Sequence, residues 1–171
     1  MWAAHFAAGV AIKSRVPDAP IRPLLAAMFV PDFVWIALGA VGVEPTAPGH
    51  FFDGWSHSLL MVLLYSLVAA FLFRGYGRTI AAAFFLAVFS HFLLDLPIHP
   101  APLELYPHSS VRFDLHIATV DSMTYWVVQL AVTLVLLAVY VAGMRRLRES
   151  RARVVQTCVG VLALHVLSLP G

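Results

Sequence analysis

The chain reads as a succession of long apolar runs separated by short polar punctuation. Uncharged or nearly uncharged runs cover residues 23–43, 56–73, 79–97, 122–144 and 154–169. Each is close to the ~17 to 25 residues that a membrane-crossing helix requires. The pattern predicts an all-α membrane protein with about five transmembrane helices, the fifth shorter than the others. Residues 2–12 form an opening apolar run too short to cross, expected as a short N-terminal half-helix or an interfacial segment. With short connections and no linker-like or low-complexity stretch, residues 1–171 are expected to form a single integral membrane domain.

Composition agrees with the pattern. Of 171 residues, 61% are apolar and 12% charged, outside the balance of soluble globular domains. Cys158 is the one cysteine, so a disulfide within the chain is excluded and a packing role is expected. In "MWAAHFAAGVAIKSR" the positive charges follow the apolar run instead of preceding it. That is the reverse of a secretory signal, and the segment is expected to belong to the mature protein.

The placement of charge adds an orientation. Lys13, Arg15 and Arg22 precede the first run, Arg74 and Arg78 flank the "RGYGR" turn, and Arg145, Arg146, Arg148, Arg151 and Arg153 precede the last. These are ten of the eleven Lys and Arg residues, and all fall on alternate connections, which the positive-inside rule assigns to the cytoplasm. The arginines between 145 and 153 read as an orientation signal and an anionic-lipid contact, with no nucleic-acid partner. The other connections, 44–56 and 98–121, carry Glu44, Asp53, Glu104, Asp114 and Asp121 with Arg112 as their cation, and should face outward. The second of them is expected to be a long loop covering the site.

Within this frame His50, His99, His108 and His116 fall in outward loops, while His57 begins the second run and His91 approaches the outer end of the third. At ~1.5 Å per residue, Asp32 lies roughly 15 Å, His91 roughly 20 Å, and His57 and Asp95 roughly 25 Å from the cytoplasmic arginine of its element. His5 is about 12 Å from Lys13 if its segment is helical. Groups from four segments can therefore meet.

In "SHFLLDLPIH" His91 and Asp95 are four apart and share a helix face. The spacing suits a divalent metal held by imidazole and carboxylate, or a proton-sharing pair satisfied by neighbouring backbone. Each ionisable group at such depth costs ~2.5 kcal/mol or more unless compensated. Asp32 follows Pro31 in "FVPDFVW", where a broken helical ladder is tolerated only inside protein or beside a wet cavity. It is a site candidate or one half of a pairing between helices. In "GWSHSLL", Ser56 or Ser58 can cap the second helix. A serine hydrolase built on Ser58 lacks a nucleophile elbow. His165 is expected to be a satisfied packing histidine, and position alone leaves His5 undecided.

The stretches "AHFAAGVA", "VPDFVW", "GWSHSLL" and "SHFLLDLPIHPAPLELYP", in that order, resemble the motif series of the YdjM-type membrane-bound metal-dependent hydrolases of the bacterial inner membrane. The resemblance covers roughly residues 3–107. It implies that His5, Asp32, His57, His91 and Asp95 form a metal centre within the bundle toward its outer side. A weaker likeness links the same order of residues to bacterial zinc-dependent phospholipases C. The chain departs from the membrane family at Val34, where many members have a second acid, and at Asp53, where they have a basic residue.

A divalent ion so held, zinc first and manganese second, would activate water and polarise a phosphoryl or carbonyl oxygen. The expected function is hydrolysis of a lipid-like or amphipathic substrate, a phosphoester first, on the periplasmic side of the inner membrane. Asp53, His99 and His108 are the candidates for moving the proton, and Arg112 for steadying an anionic head group. The alternatives are a small ion- or proton-coupled transporter, which a broken helix with Asp and His also describes, and a scaffold stapled by metal. The oligomeric state is not fixed by the sequence.

Overall fold

The computed structural model describes residues 2–44, 46–47, 50–99, 101–113, 115 and 122–168. Asp114, His116 and Asp121, assigned above to the outer loop, lie outside the described residues, as does the end of the fifth run at Leu169. The described chain is mostly helical. In order come α1 (Trp2–Arg15), α2 (Ile21–Ala27), α3 (Val30–Ala40), β1 (Thr46–Ala47), β2 (His50–Phe51), α4 (Gly54–His57), α5 (Leu59–Leu72), α6 (Arg78–Asp95), β3 (Leu103–Glu104), β4 (Arg112–Phe113), α7 (Ser122–Arg146) and α8 (Arg151–Val166). The strands make two antiparallel pairs, Thr46 opposite Phe51 and Leu103 opposite Phe113.

Five spans are not found. Among the described residues two helices, α6 and α7, are long and apolar enough to cross a membrane, and a third span results if α2 and α3, bent by 57°, count as one. The physical reason is local. The run 56–73 is interrupted at Ser58, whose extended backbone (ψ 151°) separates α4 from α5. The 14 residues left in α5 reach only about 21 Å at 1.5 Å per residue, short of the ~30 Å hydrocarbon core. The last run folds into 16 residues of α8 that begin at Arg151, again too short.

The opening run forms a helix too short to cross, as expected, but it does not lie at an interface. It is a 14-residue helix lying inside the bundle, with Ala3, Ala4, His5, Ala7, Ala8, Gly9, Val10, Ala11 and Ser14 buried. Its Ala and Gly positions let neighbouring backbones approach closely, as small residues do in membrane bundles. At the α1–α7 contact a Cβ added to Gly143 would fall 2.3 Å from Ser14 Oγ and 3.0 Å from the Ser14 carbonyl. Only glycine fits there. Ser14 Oγ donates back to the Ala11 carbonyl, which satisfies it in place.

Helix α1 lies between two apolar clusters. Ala8 joins Leu24 of α2, Met28 just beyond it, Val62 of α5, and Phe84, Val88 and Phe92 of α6. Ala3, Ala7, Val10 and Ala11 join Leu137, Tyr140, Met144 and Val161 from α7 and α8. Helices α5 and α6 form an antiparallel hairpin through a 3-10 turn, Arg74–Tyr76, closed by Gly77 at φ +103°. That backbone conformation suits glycine and few other residues. The outcome places the inner end of α1, the α2–α3 break, α4 and the end of α6 around one point.

Candidate metal centre

Helix α6 presents Ile80, Phe84, Ala87, Val88, His91 and Asp95 on its buried side, the i, i+3, i+4 stripe of a helix facing a core. Its last turn therefore turns an imidazole and a carboxylate inward, with His91 Nε2 3.1 Å from Asp95 Oδ2. His91 Nδ1 lies 2.7 Å from the Met28 carbonyl oxygen. Met28 stands in the break between α2 and α3, where Pro31 brings no N–H to the helical ladder. The interrupted backbone thus supplies an acceptor at depth, which is where irregular backbone is tolerated.

The same break starts α3 with Asp32 in its first turn, where a carboxylate is favoured by the helix dipole. Asp32 Oδ1 is 3.5 Å from His57 Nε2 and 3.7 Å from His91 Nε2. On the other side, His5 Nε2 is 3.6 Å from Asp95 Oδ1. The rings of His5 and His91 are 4.1 Å apart at their centroids.

His57 is held by its own tight turn. Glu44 Oε1 accepts from the N–H groups of Trp55 (2.7 Å) and Ser56 (3.0 Å) at the start of α4. Ser56 Oγ donates to the Asp53 carbonyl at 3.0 Å and lies 2.7 Å from His57 Nδ1. With its proton committed to Asp53, Ser56 accepts from Nδ1–H. The helix-capping role expected of these serines is not what they do: Ser58 occupies the N-cap of α5 without a side-chain cap bond, and Ser56 orients a histidine.

Beyond His57 stands an outer pair. His99 Nε2 is 3.3 Å from Asp53 Oδ2, and His99 Nδ1 donates to the Ala101 carbonyl at 2.8 Å. The ring centroids of His57 and His99 are 5.3 Å apart. Burial pushes the Asp53 carboxyl above the usual carboxylate range, against the pull of His99 and His57. Burial likewise pushes His99 below the usual imidazole range, against Asp53. Both shifts favour the uncharged partners.

His57, His91 and His99 thus share one arrangement, with Nδ1 donated to a protein acceptor and Nε2 directed inward. This is the outer-shell pattern that fixes the tautomer of metal-ligating histidines. For neutral rings it leaves the Nε2 lone pairs of His57 and His91 facing each other at 3.3 Å, next to two carboxylates and with no donor between them. His5 and His91 are each 1% exposed, and His57 5%. Acceptors packed this closely in a dry site repel unless positive charge joins them.

The ligand atoms of His5, His91 and Asp95 lie within 4.8 Å of one another, as do those of Asp32, His57 and His91, and those of Asp53, His57 and His99. The donor set, imidazole with carboxylate, suits zinc and manganese. Several His and Asp groups here could therefore hold a metal ion.

The remaining sequence candidates lie elsewhere. The His108 ring stacks on Phe52 at 4.4 Å, and its backbone N–H donates to Glu104 Oε2. Arg112 pairs with Glu104 Oε1 at 3.4 Å across the β3–β4 pair. The structure does not bring either residue to the His–Asp cluster. His165 packs on Trp126 with ring centroids 4.4 Å apart, but neither of its ring nitrogens has a hydrogen-bond partner among the described residues; the expected satisfaction is not found there. Three groups that hold the site were missed. Met28 acts through its backbone, which leaves no residue-type signal. In the sequence Glu44 shows only as a loop charge and Ser56 only as a capping residue, although its place beside His57 is a usable hint.

Removing the Ser56 hydroxyl tests this arrangement. Ser56→Ala is expected to weaken zinc binding by about 10- to 100-fold, the usual cost of losing an outer-shell partner. Competition with a chromophoric chelator measures it, and an unchanged affinity would show that the Nδ1 contact does not orient His57.

Fold and site together define a mostly helical chain with two to three apolar helices suited to a membrane and a buried His–Asp cluster able to hold metal. No family model, curated protein or solved structure matches the chain.

Proposed function

We propose that this protein is a membrane-embedded, metal-dependent hydrolase that cleaves a phosphoester in a lipid-like or amphipathic substrate. The observation that carries the reading is the convergence of inward-facing Nε2 atoms and two carboxylates in a buried site. Here the four motifs of the YdjM-type resemblance meet in space. His5, Asp32, His57, His91 and Asp95 would hold the ion, zinc in preference to manganese. When bound, it would polarise a phosphoryl oxygen and make water a nucleophile near neutral pH.

The chain's own groups supply the rest. Asp32 and Asp95 place negative charge against the histidines, so the cluster accepts a cation with little net charge. With Asp53 ionised, His99 can take a proton at Nε2 and hold the resulting imidazolium against the Asp53 carboxylate. Strand β3, packed against α4, would limit access of bulk water. The arginine-rich connections support an orientation with this end of the bundle on the periplasmic side of a bacterial inner membrane.

The test is turnover by purified, zinc-supplemented protein on a panel of phospholipids, phosphomonoesters and amides. Hydrolysis of a phosphoester is expected, and His99→Gln should lower kcat by about 10²- to 10⁴-fold, the range for general acid–base groups, with zinc content unchanged. Folded, zinc-bound protein that hydrolyses none of these would overturn the reading in favour of a scaffold. Folded protein that takes up no metal but carries protons across liposomes would favour transport.

A further inference from the structure

Four of the five inner residues are closed off from the surroundings, but Asp32 is not: its side chain is 33% exposed. The exposed side of Asp32 does not open onto a polar surface. It forms part of the lining of a cavity of about 320 Å3 on the flank of the bundle between α1 and α3. The rest of that lining includes Trp2, Phe6, Phe29, Phe33 and Ile36. Its volume falls at the lower end of ordinary ligand pockets, ~300 to 1,000 Å3. Phe33, Ile36 and Trp2 are themselves exposed, so the cavity is open toward the side of the helices and not only toward a loop end.

Resting on the phosphoester reading above, we infer that this cavity holds the hydrocarbon chain of the substrate, which reaches the His–Asp cluster sideways from the bilayer past Asp32. The occupant is an amphiphile with a phosphate at one end and an alkyl chain at the other. Its chemistry follows from the continuity of the two regions. The cluster takes an anionic oxygen once a cation is bound, and the adjoining walls offer aromatic and aliphatic carbon with Asp32 as the lone carboxylate. A small hydrophilic phosphoester would find no partner for its body on those walls. A helix of a second copy would cover Asp32 and close the cluster to any substrate.

The experiment uses zinc-loaded protein transferred to amphipol, titrated calorimetrically with inorganic phosphate and with ethyl, butyl, hexyl and octyl phosphate. Affinity is expected to rise by about fourfold per methylene, the factor that follows from burying one CH2 group. Phe33→Ala together with Ile36→Ala, both at exposed positions, should weaken octyl phosphate by about tenfold through lost apolar contact and leave inorganic phosphate and zinc content as in the wild type. Leu64→Ala with Leu67→Ala, exposed on α5, should change neither.

A wild type that binds zinc and inorganic phosphate without any gain along the series overturns the chain site and leaves the hydrolase reading standing. So does a gain that both double variants retain, which would locate the chain on the general apolar surface. Protein that binds neither zinc nor inorganic phosphate overturns both. A single-variant check, Ile36→Trp, narrows the cavity without removing carbon and should weaken octyl more than ethyl phosphate.

Discussion

Replacing His91 and Asp95 together by alanine is expected to strip the protein of bound zinc, lowering affinity by more than about 100-fold, beyond the cost of losing an outer-shell partner alone. The expectation follows from their position. His91 belongs to two of the three candidate ligand groups, and Asp95 completes one of them. His91 also donates to the Met28 carbonyl, so its loss releases a bond that ties α6 to the α2–α3 break. Metal content by inductively coupled plasma mass spectrometry on detergent-purified protein reads the result. The apolar face of α6, with Phe84, Val88 and Phe92, remains to hold the bundle, and circular dichroism verifies that it does. Asp95→Asn, which keeps shape and removes charge, should reduce binding in the same direction. Zinc retained in the folded double variant would place the ion outside the cluster.

Removing the metal from the wild type should cost stability as well as activity. Without it, the Asp95 carboxylate and the facing Nε2 atoms of His57 and His91 remain packed together in a buried site, where acceptors set against one another are expensive. An ion present at a thousand times its Kd contributes about 4 kcal/mol to the folded state. For a chain of this size that corresponds to roughly 8 to 16 °C in Tm. A melt in detergent before and after EDTA treatment, then again after zinc is restored, measures the shift. The direction with pH is fixed by competition. Protons and metal contend for the same imidazole nitrogens, so the stabilisation by zinc should shrink as pH falls. A Tm that ignores both EDTA and zinc would count against a structural contribution from the ion.

The proposed resemblance of four short stretches to a membrane hydrolase series is matched by no family model, whereas the meeting of the same stretches in space is an observation. The first concerns residue types in order. The second depends on an interrupted span, a four-residue helix and a buried opening helix, none of which the motifs specify. The meeting of His5, Asp32, His57, His91 and Asp95 makes those positions the first to change experimentally.

By itself the sequence determined the helical, apolar character of the chain, because long uncharged runs can satisfy their backbone in lipid only as helices or closed barrels. It also determined the one-face pairing of His91 with Asp95, since four residues make about one helical turn. The break at Pro31 was legible for a similar reason: proline's missing N–H acts locally. What the sequence could not determine was how many runs become full spans. Ser58 has no forbidding side chain, yet its extended backbone divides α4 from α5 and turns His57 into the cluster.

The fate of the opening run was equally hidden, because a helix of Ala and Gly has no apolar stripe strong enough to declare a buried place until Gly143 and α7 receive it. His108 and Arg112 show the opposite limit. Their chemistry suited a site, but the β3–β4 pair commits them to Phe52 and Glu104. Local spacing fixes which side chains share a helix face; only the packing of separate helices decides which faces meet, since that depends on volumes and backbone breaks far apart in the chain.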